Sequence, residues 1–550
     1  MVTRSVTNPH PWVPEYSKTT PLVRTMGRNG GVASHHYLAS EAGLEVLRLG
    51  GNAVDAAVAV SAALGVVLPA MIGPGGVGYM TIHSAADDRT YCLDFSGTAP
   101  AAAGPASFEE VYFGARAQLV PAAVAGWMTA LERFGSLDAE RVFGPAIRLA
   151  EEGFPVSPTL AYFVTRALTT LQGADSPVAR LFAPSGKAPS PGEVLRWPDL
   201  AQTYRAIARG GADVFYRGEL AKRISSYIAS RNGWLSSADL AAAQAEWQEP
   251  LAVDYRGWTV LTPPPPCSGI QTLETLKVLE GFDLRGLDPF APDYLHTLVE
   301  AIKLARHDRV FGGSSTTHAA SAARFLSEAH AAELRGRIDR RLAAPSEGDW
   351  YSSPHTTHFA TGDRAGNLVS STQTIGAIFG SGEIVEGTGI LLNGMLFLFD
   401  SDRGSPNRLE PGKKIDNPMS PVIARHRDGR VIAIGSPGGQ GILQTTVQML
   451  VDIVDFGLSP QATVETPRFV SFGRRAFIAQ FGPDHDPTSL AIEDRFPPAT
   501  LAELAARGHT IEPVGDWSHS VGAGAVVMRH ANGVVEAGAD PRQDGLAYAY

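Results

Sequence analysis

A threonine hydroxyl is a poor nucleophile until a base stands beside it. The stretch His355-Thr356-Thr357-His358-Phe359, with Thr374 eighteen residues beyond Thr356, contains a threonine that could supply its own base. A cut just before Thr356 frees an α-amino group on the residue that carries the hydroxyl, and that amine can take the hydroxyl proton. An unperturbed α-amino group has a pKa of roughly 7.7–8.0, so a useful fraction is neutral near pH 7. Thr-Thr-His also occurs at Thr316-Thr317-His318, but there an Ala-rich, helix-like run follows, residues 319–326. After Thr356 the pattern is a hairpin. Phe359 and Thr361 precede a turn at Asp363-Arg364-Ala365-Gly366-Asn367, and a second strand runs over residues 368–374. A strand start is a place where a buried nucleophile can be held rigidly.

The elements that must position this threonine are legible on both sides of it. Residues 40–49 read as an amphipathic helix stopped by Gly50-Gly51, and Asn52 caps a second, mostly buried helix ending near Pro69. Strand patterns follow at 79–83 and 90–95. Helical patterns lie at 141–152, 200–209, 220–230, 270–280 and 294–306, interrupted by one strand-like run, 251–261. Residues 328–351 are charged and read as an exposed connector, the slack a cleavage site needs. Strands return at 389–393, 419–426 and 431–435, then a helix at 442–456, then strands at 522–528 and 534–538. Strands at both ends with helices between them predict an α+β layered architecture with a helical lobe.

Composition narrows the function class. The chain has 550 residues, 44% of them hydrophobic and 19% charged, with a net charge of −10. This is a globular composition, and the acidic balance speaks against a nucleic-acid partner. The longest nearly apolar segment, 53–68, carries Asp55 and is shorter than a membrane span. Residues 1–18 show no apolar signal region, so no membrane association and a cytoplasmic location are expected. Two cysteines exclude a disulfide framework: Cys92 reads as a core residue, and Cys267, after four prolines, as partly exposed. His35-His36 and His307-Asp308 lack metal-ligand spacing, so neither a metal site nor a cofactor is expected.

Two glycine-rich loops need separate readings. Gly73-Pro74-Gly75-Gly76-Val77-Gly78 fits G-x-G-x-x-G, but a helix precedes it and a strand follows, the reverse of a dinucleotide site. It reads as a tight turn. Ser436-Pro437-Gly438-Gly439-Gln440-Gly441 lies between a strand and a helix, where backbone N–H groups point at anions. It can be a simple turn, hold a phosphate, or stabilise the oxyanion of an acyl-transfer intermediate. No G-K-[ST] follows, and a threonine nucleophile in the same segment favours the oxyanion. His358 falls on the same strand face as Thr356, in a positioning or a structural role.

With these stretches in place, the chain resembles the γ-glutamyltranspeptidase family of N-terminal-nucleophile hydrolases over residues 31–545. The resemblance is carried by Gly50-Gly51-Asn52-Ala53-Val54-Asp55-Ala56-Ala57, the turn at 73–78, Phe215-Tyr216-Arg217-Gly218, residues 356–374, Gly380-Ser381-Gly382, Met419-Ser420-Pro421 and residues 436–439. It implies a four-layer αββα fold and autocleavage between His355 and Thr356. The products would be a large subunit, 1–355, and a small one, 356–550, held as a heterodimer, with higher assembly left open. It also implies Thr356 as nucleophile, Thr374 as the supporting hydroxyl, and Gly438 and Gly439 as the backbone oxyanion hole.

The positions that would bind substrate depart from the family pattern. The D-F-R-E-x-A-P motif, whose arginine holds the substrate α-carboxylate, reads Asp94-Phe95-Ser96-Gly97-Thr98-Ala99-Pro100 here, so Ser96 replaces the arginine. Leu398 stands where an aspartate holds the α-ammonium, and Met395 replaces a Gln or Glu. The S-S-M-S-P carboxylate site reads Asn417-Pro418-Met419-Ser420-Pro421. Residues 400–416 are shorter than in members with a lid. Arg403, Arg408, Lys413 and Lys414 in that stretch read as a solvated loop or as contacts for an acidic substrate. The expectation is an autoprocessed amidohydrolase or acylase acting on a small-molecule amide with a non-glutamyl acyl group, oxamate-amidohydrolase-like or cephalosporin-acylase-like. The alternatives are a γ-glutamyltransferase or glutathione hydrolase with replacement binding residues, and a non-catalytic scaffold of the same fold.

Overall fold

The computed structural model describes residues 22–170, 176–312, 318–346, 349–351, 355–400, 404–471, 475–477 and 486–550. Its centre is a pair of seven-stranded antiparallel sheets. The first runs in the order Leu546–Ala549, Gly30–Ser34, Thr356–Asp363, Leu368–Thr374, Val77–Ser84, Arg89–Phe95, Glu246–Gln248. The second runs Thr25–Gly27, Val535–Ala539, Ala525–Arg529, Val431–Gly435, Val422–His426, Trp258–Thr262, Leu251–Tyr255. They stack face to face over a thin interior made mostly of alanine, with Ala33, Ala360, Ala433, Ala525 and Ala537 among its members. Small side chains let the layers approach closely enough for cross-sheet hydrogen bonds. Ser370 Oγ donates to the Ile434 carbonyl (3.0 Å), and Thr81 Oγ1 to the Pro421 carbonyl (2.8 Å).

Helices cover both outer faces. Tyr37–Arg48, Ala53–Val67, Ala123–Phe134, Ala139–Glu152 and Pro198–Tyr216 share one core with the first sheet. Gly269–Leu279, Pro292–Gly312 and Ile442–Val454 share another with the second. The four-layer αββα arrangement is the expected one. The hairpin is also as expected: Thr356–Asp363 pairs antiparallel with Leu368–Thr374, and Thr356 lies opposite Thr374. Its polar residues are buried, and their hydrogen bonds are found locally. Ser371 Oγ donates to the Tyr79 carbonyl (3.0 Å), and Gln373 bridges Ser61 and Trp127. Among the described residues no helix is long and apolar enough to cross a membrane.

Several expectations change in the structure. Residues 251–261 form not one strand but a hairpin, Leu251–Tyr255 and Trp258–Thr262, turned at Arg256-Gly257, both with positive φ. The turn was hidden because Arg-Gly carries none of the usual Asn-Gly signal. The charged stretch after 328 is not wholly exposed: Glu328–Arg337 is a helix capped by Ser327, with His330, Ala331 and Leu334 buried. Residues 347–348 of the expected connector, residues 352–354 just after it, and Thr316-Thr317 lie outside the described residues. The strand expected over 389–393 shrinks to Ile390–Leu391. Cys267 is fully buried with Tyr79 and Met419, and its thiol donates to the Met419 carbonyl (3.0 Å).

The helix Ala53–Val67 is buried along its whole length and sits directly on the hairpin, where Thr361 Oγ1 donates to the Ala53 carbonyl (2.6 Å). Its start depends on Asp55, which completes a capping box with Asn52 and also accepts from the backbone and hydroxyl of Ser136 (3.0 and 2.6 Å). Asp55→Ala removes the reciprocal half of the capping box and leaves the partly buried N–H groups of Asn52 and Ser136 without their carboxylate. It should cost roughly 2–4 kcal/mol, read as a lower urea midpoint at unchanged m-value.

Candidate active site

Thr356 begins its strand facing the second sheet, and a short relay of hydrogen bonds surrounds it. Its hydroxyl donates to Thr374 Oγ1 (3.3 Å), which in turn donates to the His355 carbonyl (2.8 Å). The Gly376 N–H donates to the same Thr374 oxygen (2.9 Å). The Thr374 hydroxyl thus touches both the Thr356 hydroxyl and the carbonyl of the peptide bond just before it. Both threonines are buried.

The histidines stay neutral here. Burial, with His519 and Arg166 close by, holds His355 well below its usual range, and its ring meets the edge of Phe163. Burial and the neighbouring His35 do the same to His358. His358 does share the strand face of Thr356, but its Nδ1 pairs with Thr372 Oγ1 (2.9 Å), not with the nucleophile candidate. Its ring lies on Gly435, where a Cβ would come within 2.5 Å of it. Gly435 ends the strand that leads into the loop at 436–441, so this contact sets the height of that loop over Thr356.

The loop passes into a short 3₁₀ turn, Gly439–Gly441, and then the helix Ile442–Val454. Gly438 and Gly439 have φ of 126° and 56°, a region that strains side chains with a Cβ. Gly439 reaches the cavity at Thr356. That cavity is small, ≈ 20 Å³, room for about one water. Thr356, Thr374, Met395, Leu398, Asn417 and Pro418 all line it, with Gly376, Phe397 and Met419. Seven of the residues singled out from sequence therefore converge. Asn417 is 1% exposed, and neither atom of its carboxamide has a partner among the described residues.

Ser96 and Gly438 do not line the cavity. Ser96 is buried, and its N–H donates to Asp94 Oδ1 (2.8 Å). Lys414, expected in a solvated loop or at a substrate, is instead held by Asp94 and Glu246, each at 2.9 Å. Arg403 lies outside the described residues. Sequence reasoning missed Arg309 altogether. Only 5% exposed, it donates from Nε to Gln271 (2.9 Å), from Nη1 to Asp416 (2.5 Å) and from Nη2 to Gln440. It clamps the segment carrying Asn417 to the glycine loop. No local motif marks it, because its partners come from distant parts of the chain.

Two stacked antiparallel sheets between helical layers, with a threonine relay at a strand start, define an N-terminal-nucleophile hydrolase fold. The profile of the gamma-glutamyltranspeptidase family matches residues 39–550, and the chain belongs to that family. It is 35% identical over 508 residues to the acylase ACY 1 proenzyme of Pseudomonas sp. (strain SE83), covering 88% of each chain. It is 32% identical over 557 residues to the glutathione hydrolase proenzyme of Bacillus subtilis (strain 168), covering 95% of this chain and 92% of that one. The structure of a cephalosporin acylase from Bacillus halodurans superposes with a TM-score of 0.87 at 33% identity, covering 98% of this chain and 99% of the other. The protein is an amidohydrolase or acylase of this family.

Arg309→Gln keeps a donor but loses the two-armed clamp. A displaced glycine loop should lower kcat about 10- to 100-fold with a smaller change in KM, measured at steady state on any amide the enzyme accepts.

Proposed function

We propose that the protein cleaves itself between His355 and Thr356 and then hydrolyses an amide through an acyl-enzyme on Thr356. The observation that carries this reading is the relay Thr356–Thr374–His355 carbonyl. In the precursor the Thr356 oxygen attacks the His355 carbonyl carbon while Thr374 donates to the carbonyl oxygen. The C–N bond breaks, the nitrogen becomes the free amine of Thr356, and the acyl group rests on Oγ1 as an ester. Water hydrolyses the ester, leaving a carboxylate on His355. In turnover the new amine takes the hydroxyl proton and returns it to the leaving amine, and the Gly438-Gly439 loop donates to the oxyanion.

Residues 1–355 and 356–550 would then be separate chains that remain interleaved. In the first sheet, Gly30–Ser34 lies between Leu546–Ala549 and Thr356–Asp363, and Leu368–Thr374 pairs with Val77–Ser84. Separating the fragments would break those ladders, so a heterodimer is the expected product.

Cleavage is checked by sequencing the smaller fragment, which should begin Thr-Thr-His-Phe. Thr356→Ala should give an uncut, inactive chain, and Thr374→Ala should slow both steps by roughly 10- to 1,000-fold. An active 550-residue chain without the cut would exclude the mechanism.

The acyl group is proposed to be non-glutamyl. Met395, Phe397, Leu398 and Met419 make an apolar wall, and among the described residues no charged side chain lines the cavity. The unpartnered Asn417 carboxamide offers one donor and one acceptor to an uncharged polar group. A γ-glutamyl end brings a carboxylate and an ammonium, and burying either unpaired costs several kcal/mol. The second reading, a γ-glutamyl hydrolase with other binding residues, is favoured by the likeness to the glutathione hydrolase proenzyme. The relay argues against a non-catalytic scaffold. In an amide screen, γ-glutamyl anilide should be turned over at least about 1,000-fold less efficiently than the best apolar acyl amide. Leu398→Asp should narrow that gap. A kcat/KM for glutathione at or above about 10⁴ M⁻¹s⁻¹ would establish the second reading instead.

A further inference from the structure

Outside the active site, the helical layer on the second sheet buries a compact group of metal-type ligands. Glu274 lies on the helix Gly269–Leu279, Asp308 on Pro292–Gly312 and His330 on Glu328–Arg337. Their ligand atoms all fall within 4.8 Å of one another, and all three residues are buried. His330 Nε2 is 2.5 Å from Asp308 Oδ2 and 3.2 Å from Glu274 Oε1. A single ring nitrogen cannot serve both carboxylates, and neither oxygen of Glu274 receives a hydrogen bond among the described residues. Glu274 is only 1% exposed, and its carboxyl group faces His330 at ion-pair distance without a well-formed hydrogen bond.

We propose that Glu274, Asp308 and His330 bind a divalent transition-metal cation, with zinc as the best match. Imidazole nitrogen and carboxylate oxygen are both donors that zinc accepts, and a water would complete a tetrahedron. The surroundings suit ligands held in place from behind. His307 Nδ1 lies 3.2 Å from the other oxygen of Asp308, and His330 Nδ1 faces Glu333 at 3.7 Å.

In the second buried group of this kind, His296, Glu300 and His509, only His509 Nδ1 lacks a partner among the described residues. His296 bonds to His509 (2.8 Å) and to the Asp339 carbonyl (2.7 Å), while Glu300 accepts from Lys303 (2.8 Å) and the Ala344 N–H (3.2 Å). A cation at the first cluster would instead clip three helices together. It would also fix the helix turn that carries Arg309, the neighbour of Asp308.

The full-length protein, stripped with a chelator and dialysed, is titrated with zinc by calorimetry, and the bound metal is counted by mass spectrometry. One tight equivalent per chain and a higher melting temperature with zinc are expected. Glu274→Gln, an isostere that removes a buried charge, should fold and weaken zinc binding by at least about 10-fold. Asp308→Asn is the second variant, expected to do the same. Sub-stoichiometric binding by the unaltered chain overturns the proposal. So does zinc affinity in both variants equal to that of the unaltered chain.

Discussion

The chemistry proposed for this molecule rests on one cross-strand pair, Thr356 opposite Thr374. Strand pairing puts the two hydroxyls on the same face, and the peptide bond before Thr356 falls within reach of the Thr374 hydroxyl. A slip of one residue in either strand would turn one of these side chains to the helical side, because strand faces alternate with a period of two. The register is held on both flanks. Leu368–Thr374 also pairs along its length with Val77–Ser84, and Thr356–Asp363 pairs with Gly30–Ser34. Below the pair, Thr361 and Asp363 bond to the first turn of the helix Ala53–Val67. The pair is thus placed by the centre of a sheet and not by a loop, which suits a group that must react within one narrow geometry.

The second constraint is the distance between the sheets. An interior rich in alanine keeps the layers close, and Gly435 lets the His358 ring lie against the backbone of the opposite strand. Since Gly435 leads directly into residues 436–441, the spacing of the sheets also becomes the spacing between Thr356 and the glycine loop. His358 acts in this way as a spacer. Its neutrality follows from burial and from His35 nearby.

How much of this was legible in the sequence depends on how local each signal is. The hairpin at 356–374 was readable because alternation and an Asp-Arg-Ala-Gly-Asn turn lie within one short window. The Asn52 cap and the glycine loop were readable for the same reason. Arg256-Gly257 was not, since its turn geometry comes from positive φ at a residue type that rarely advertises it. The helix Glu328–Arg337 was hidden by charge: only His330, Ala331 and Leu334 face inward, too few to show a clear stripe. Arg309, Lys414 and Cys267 acquire their partners only when distant segments meet. Arg309 joins Gln271, Asp416 and Gln440, and no window of sequence contains that set.

These same distant pairings decide how the site sorts charge. Four cations were candidates to meet an acidic substrate. In the structure, Lys414 is neutralised by Asp94 and Glu246, Arg408 pairs with Glu410 (2.9 Å), and Lys413 donates to the Arg408 carbonyl (3.2 Å); Arg403 is not among the described residues. Arg309, which donates to Gln440 in the glycine loop, is matched by Asp416. Turning Lys414 or Arg309 to a substrate carboxylate would break its pair and leave Asp94 or Asp416, both largely shielded from solvent, behind at a cost of several kcal/mol, whereas the Arg408–Glu410 pair is exposed on both sides. Asn417 carries no such penalty. Its carboxamide is buried, uncharged and unpartnered at the cavity wall, so a neutral polar group gains hydrogen bonds there without displacing any. Charge already balanced within the protein, with a neutral polar contact left over at the cavity, fits the uncharged acyl group proposed above, as does the absence of the arginine and aspartate that would hold a zwitterion.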